Sequence, residues 1–195
     1  MTTDWAAEFA RLERGRRHAP AGPPRATPPP PLSEAEVADA ERDLGITFPS
    51  AYRRHLRTRS AGGKPNRLVR GAQGWGWDGD SLTNYALLTT PFPHPDSYRA
   101  LDDELDGREP PHQDAAAWRA WDHECGVLQE RKTAGAVFVR EGGCGFSTLL
   151  VVTGPHRGEM WFDARATCER ILPLTLHGRQ ATFDDWPAHA DLLHR

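Results

Sequence analysis

The segment LSEAEVADAERDLGITFPSAYRRHLRTRSAGG, residues 32–63, most constrains the fold of this chain. It reads as two short helices joined by a stop and a restart. Ser33 and Glu36 stand in the S-x-x-E spacing of a capping box, where the hydroxyl accepts from a free backbone N–H and the carboxylate reaches back to the cap. Val37, Ala40 and Leu44 then recur on one helical face. Gly45 supplies the left-handed turn that ends such a helix. Pro49 suits the first position of the next helix, where a missing N–H costs nothing. In that helix Tyr52 and Leu56 face inward, and Arg53, Arg54 and Arg57 face outward. Gly62 and Gly63 end it.

The helices before and after are less strongly marked. Residues 3–17 form an amphipathic pattern with Trp5, Phe9 and Leu12 on one side. A helix of this length is marginal alone, so it must dock or fray. Residues 18–31 are Pro-rich and are expected to be extended linker. Residues 96–106 allow a helix capped by Asp96, with Tyr98, Leu101 and Leu105 at helical spacing. A longer helix is expected over 115–129, with Trp118, Trp121, Cys125 and Leu128 in one stripe.

Strand signals dominate the rest. Residues 74–81 carry Trp75 and Trp77 on a strand or loop edge, and 85–90 is a further strand candidate stopped by Pro91 and Pro93. Residues 134–141, 146–153 and 159–163 read as three consecutive strands separated by Gly-rich connections. Short connections favour antiparallel pairing. Residues 171–176 add one more strand, and 183–193 a last helix capped by Thr182. Helices first, a meander in the middle and a helix last describe an α+β domain.

Composition narrows the function classes. A net charge of −3 over 195 residues argues against a general nucleic-acid binder, which needs a basic face to displace counterions. Cys125, Cys144 and Cys168 are three in number and lack C-x-x-C spacing, so neither a disulfide scaffold nor a zinc ribbon is indicated. Reduced, buried thiols in a cytoplasmic protein fit better. No early apolar segment and no long apolar run stands in the sequence, so neither a signal peptide nor a membrane span is expected.

The order of these motifs resembles the SUKH superfamily, the Smi/Knr-type domain. The resemblance is carried by LSEAEVADAERDLGITFPSAYRRHL, by GGCGFSTLLVVTGPHRGEMWFDAR at 142–165 and by ATFDDWPAHADLL at 181–193. Gly158, Trp161, Phe183 and Trp186 match the family's Gly-x-hydrophobic-Trp strand and Phe-x-x-Trp helix. It covers roughly residues 32–193, within a division into an N-terminal helix (1–17), a linker (18–31) and one SUKH-like domain (32–195) with an acidic insertion near 94–114. The resemblance implies a mixed, mainly antiparallel sheet with helices packed beside it. It also implies a binding module without catalysis: in bacteria an immunity protein that neutralises a toxin, often a nuclease, and in fungi a regulatory adaptor. No cofactor is implied.

Three chemistries were weighed on the residues. Cys144 lies in Gly-Gly-Cys-Gly and would be a nucleophile only beside a base or a helix N-terminus; a small residue in a hairpin turn is the favoured reading. Asp122, His123, Glu124 and Cys125 are consecutive, so on a helix they point apart and cannot close on one metal ion. The third feature is charge: nine acidic residues against Arg99 and Arg108 lie between Trp77 and Asp114. A concentrated acidic patch speeds and orients encounter with a basic partner such as a nuclease toxin. The expected partner-binding residues are Asp78, Asp80, Asp102, Asp103, Glu104 and Asp106, with Trp75 and Trp77 as aromatic anchors or, equally, as core.

Overall fold

The structure is a computed structural model and describes residues 3–16, 30–59, 66–167 and 170–186. Most of the expected linker, the Gly62-Gly63 stop, Cys168 and the part of the last helix beyond Trp186 lie outside the described residues.

The opening motif folds as its chemistry dictates. Helix α1 spans Trp5–Glu13, α2 spans Glu34–Leu44 and α3 spans Ser50–Thr58. At the start of α2 the Glu36 N–H donates to Ser33 Oγ at 3.2 Å, and the Ser33 N–H donates to Glu36 Oε2 at 2.8 Å. Gly45 ends α2 at φ +68°. Pro49 sits one position earlier than expected. It is the residue before α3, held extended at ψ 140°.

Strands β1 (Leu68–Gly71) and β2 (Gly74–Trp77) form an antiparallel hairpin. After it, the expected strand at 85–90 is instead a 3-10 turn over Tyr85–Leu87, with the Ala86 N–H donating to Asn84 Oδ1 at 3.2 Å. Leu87 and Leu88 are both buried, but in different apolar clusters, so the apolar run is a crossing point between clusters. A second 3-10 turn, Pro95–Ser97, leads into α4 (Arg99–Gly107), and α5 spans Ala115–Arg131. Asp96 therefore belongs to the turn before α4, and Tyr98 occupies the capping position without a side-chain cap bond.

The central sheet is a meander of β3 (Ala136–Gly143), β4 (Phe146–Val151), β5 (Met160–Asp163) and β6 (Ile171–Pro173), in that order. The expected strand at 171–176 is broken at Leu174, and β7 (Thr175–Leu176) turns back to pair with β8 (Arg179–Gln180). Every strand pairing among the described residues is antiparallel, so the mixed character expected of the sheet is not present there. The chain has an α+β fold.

Both faces of the sheet are buried, which explains why its strands read as near-continuous apolar runs. On one face Val137, Leu150 and Met160 lie in register and pack beneath α2, α3 and β2 with Val37, Phe48, Tyr52 and Trp77. On the other, Phe138, Leu149 and Trp161 lie in register and pack with Phe92. The 80–92 segment is tied there by the Phe138 N–H to Thr83 Oγ1 at 3.1 Å and the Phe92 N–H to the Thr153 carbonyl at 3.0 Å.

Helix α1 docks. Leu12 is buried with Leu87, Val127 and Ala134, and the Phe9 ring lies where Gly126 of α5 leaves no side chain. Asn84 Nδ2 donates to the Leu12 carbonyl at 2.9 Å and to Glu130 Oε2 at 2.7 Å, while Arg16 pairs with Glu130 from α1's end. A helix too short to persist alone is thus held by an apolar stripe and a buried polar latch.

Candidate recognition surface

Helix α4 lies on the outside of α5, held by few but specific contacts. Tyr98 and Leu105 are buried against Leu128, with Trp121 and Cys125 packed beside them. Trp121 Nε1 donates to the Leu105 carbonyl at 2.8 Å. Lys132, the residue after α5, reaches back to Asp102 Oδ1 at 2.6 Å and places its ammonium 5.1 Å from the centre of the Tyr98 ring. Burial pushes the Tyr98 hydroxyl up to about 12, so it stays protonated.

These anchors decide which α4 side chains remain outside. Tyr98 and Leu105 turn inward, and Leu101 turns outward at 42% exposure, the one large hydrophobic so exposed among the described residues. Asp103, Glu104 and Asp106 are exposed on the same helix. Arg99 is occupied by Asp96, and Arg108 is shared between Glu104 at 3.4 Å and Glu124 at 3.0 Å. The local arginines are therefore committed, and α4 exposes Leu101 together with three acids distributed round its outer side.

The remaining expected contact residues fall elsewhere. Trp75 and Trp77 are core residues and not surface anchors. Their indole N–H groups are satisfied internally, Trp75 Nε1 by Asp39 Oδ2 at 2.9 Å and Trp77 Nε1 by the Tyr52 hydroxyl at 2.7 Å. Asp80 is buried at 1% exposure and holds a turn, its Oδ1 accepting from the Leu82 and Thr83 N–H groups at 2.8 and 3.1 Å. Burial raises its pKa. Asp80 is thus withdrawn from any surface partner. Asp78 is half-buried beside β2, apart from α4 in the chain. Asp102 is tied to Lys132, which leaves Asp103, Glu104 and Asp106 as the expected acids that face solvent.

The nucleophile and metal candidates are placed as follows. Cys144 is exposed at the tip of the β3–β4 hairpin, at φ +53° between Gly143 and Gly145, which also have positive φ. Cys125 is half-buried, and burial, with Asp122 and Glu124 nearby, raises its pKa, the reverse of an activated thiol. No group of three or more His, Cys, Asp or Glu gathers as a metal site among the described residues.

One group was missed in the sequence. His156 Nδ1 lies 3.1 Å from Glu159 Oε2, and the His94 ring centre lies 5.3 Å from that of His156, tilted, and 5.6 Å from that of Trp161, edge-on. His94 lies 62 positions before His156, so only the fold joins them; the one local signal was the His156/Glu159 spacing inside the β4–β5 connection. Both rings are partly solvent-exposed and lie on the surface.

Comparison with protein-family models, with curated proteins and with solved structures gave no match.

Proposed function

We propose that this chain is a non-catalytic protein-binding module of the SUKH type that neutralises a toxin domain by stoichiometric, reversible binding in the cytoplasm. The observation that carries the reading is helix α4, on which Leu101, Asp103, Glu104 and Asp106 are all exposed while its neighbouring arginines, Arg99 and Arg108, are already paired. An acidic helix with one exposed apolar side chain fits a cationic partner surface, such as the substrate channel of a nuclease. The α+β meander accords with the motif order that suggested this family. Among the described residues no helix is long and apolar enough to cross a membrane.

The structure changes which residues a test should target. Asp102 holds Lys132, so reversing its charge would disturb the seating of α4 as well as any interface. Leu101→Ala removes a side chain that is 42% exposed and leaves the Asp102–Lys132 pair intact. Co-expression with a toxin domain against which this chain protects cells, followed by purification, should give a one-to-one complex. Leu101→Ala should weaken it about five- to tenfold, from the burial of part of one leucine. A toxin that is inactivated by turnover at sub-stoichiometric amounts of this protein would overturn the proposal.

A further inference from the structure

Between α1, the 87–93 segment and α5 lies a cleft of about 400 Å³, within the range of small-molecule sites. Its apolar lining is Leu87, Leu128 and the Tyr98 ring, all buried. Its rim is cationic. Arg11 Nε and Nη2 each lie 2.8 Å from the Glu8 carboxylate, and Arg131 Nη2 reaches the same carboxylate at 3.0 Å. Lys132 also lines the cleft, but Asp102 neutralises it at 2.6 Å.

Two guanidinium groups thus share one carboxylate. Each guanidinium carries five N–H donors, and Glu8 takes two from Arg11 and one from Arg131. The Glu8 pKa is lowered to about 2, chiefly by its bonds to Arg11, so Glu8 remains ionised at neutral pH and the charge count stands. The rim then keeps one uncompensated positive charge above an apolar floor. Both arginines are half-exposed, so their remaining donors are within reach of a ligand.

We propose that this cleft binds a small organic monoanion, a carboxylate on a compact apolar body. The carboxylate would complete a second fork with Arg11 and Arg131, the geometry that planar guanidinium groups favour. The apolar body would lie over Leu87, Leu128 and Tyr98. Inorganic phosphate suits the site less, because a dianion exceeds the one spare charge and meets Glu8. The site is distinct from the outer face of α4 and does not depend on the toxin-binding reading.

Isothermal titration of the full chain at low salt tests this, with hexanoate, hexanol and inorganic phosphate as probes. Hexanoate should bind one per chain, at least tenfold more tightly than either hexanol or phosphate. Arg11→Gln with Arg131→Gln should weaken hexanoate at least tenfold, while Arg14→Gln, an exposed arginine outside the cleft, should change it less than twofold. Thr90→Trp, at an exposed position on the rim, should abolish binding while leaving both arginines in place. No hexanoate heat at millimolar concentration, equal affinity for phosphate, or full hexanoate binding by Thr90→Trp would each overturn the proposal.

Discussion

Replacing Tyr52 by Phe tests how the core is specified. Tyr52 and Trp77 are both wholly buried, and the Tyr52 hydroxyl accepts the Trp77 indole N–H at 2.7 Å. Burial also raises the Tyr52 pKa, so the phenol stays neutral. The substitution removes one oxygen and leaves the rings in place, with Tyr52 still packed edge-on against Phe48 and Phe183. Its main consequence is an indole N–H buried without a partner, which costs about 1–3 kcal/mol. For a chain of 195 residues about 2 kcal/mol corresponds to a fall in Tm of roughly 4–8 °C. Urea unfolding followed by tryptophan fluorescence should give a lower midpoint with an unchanged slope. A loss below about 0.5 kcal/mol would show that the indole finds another acceptor or water, and would refute the view of this pair as a sealed contact.

Gly135→Ala should be far more damaging than a typical single substitution. Gly135 has φ +62°, and a methyl group there would fall on the Thr90 carbonyl and within 2.8 Å of the Phe92 nitrogen, so a loss above about 3 kcal/mol is expected by chemical denaturation. Asp80→Asn should alter the pH profile of stability. Burial raises the folded-state pKa of Asp80 above the ordinary aspartate value of 3.8, so its ionisation increasingly destabilises the wild type as pH rises from about that value toward the folded pKa. The Asn variant keeps the acceptor oxygen and loses the charge, so its Tm relative to wild type should rise between pH 4 and pH 7; a difference independent of pH would contradict this. Glu8 has the opposite sign. Its lowered pKa means that stability from the Arg11 and Arg131 bonds is present above about pH 4.5 and is lost as pH falls toward about 2, and Glu8→Gln should remove that part of the acid sensitivity in a thermal scan.

The elements legible in the sequence were those with their own local chemistry. The Ser33/Glu36 box, the Gly45 stop and the glycines between strands act within a few residues, so spacing alone reveals them. The 85–90 segment was misread because its consecutive leucines serve two different clusters, a distinction that only the packing of α1 and α5 creates. Leu174 breaks the last strand for a similar reason: its N–H donates to the Met160 carbonyl at 3.1 Å while the side chain joins the main core.

The candidate surface was only partly legible. The acidity of α4 is a count and could be read directly. Asp102 is withdrawn by Lys132 from beyond α5, which periodicity does not reveal, whereas the Glu104–Arg108 pair is an i,i+4 contact that spacing alone could show. Trp75 and Trp77 occupy alternate positions on a strand, the pattern of one shared face; whether that face meets the core or solvent depends on α2 and α3 covering it. Leu101 shares helical spacing with Tyr98 and Leu105, yet only the latter two are buried in the apolar cluster against α5, so an expected core residue lies at 42% exposure.

Association kinetics give the most direct test of the central claim, that α4 presents an acidic recognition surface. The rate of complex formation with a toxin domain that this chain is shown to neutralise should be measured by stopped flow from low to high salt for the wild type and for Asp103→Lys, Glu104→Lys and Asp106→Lys combined. The account predicts a fall in the association rate of at least about tenfold at low salt, shrinking as salt screens the charges, with the dissociation rate changed far less. An association rate and salt dependence identical to wild type in the triple variant would contradict it.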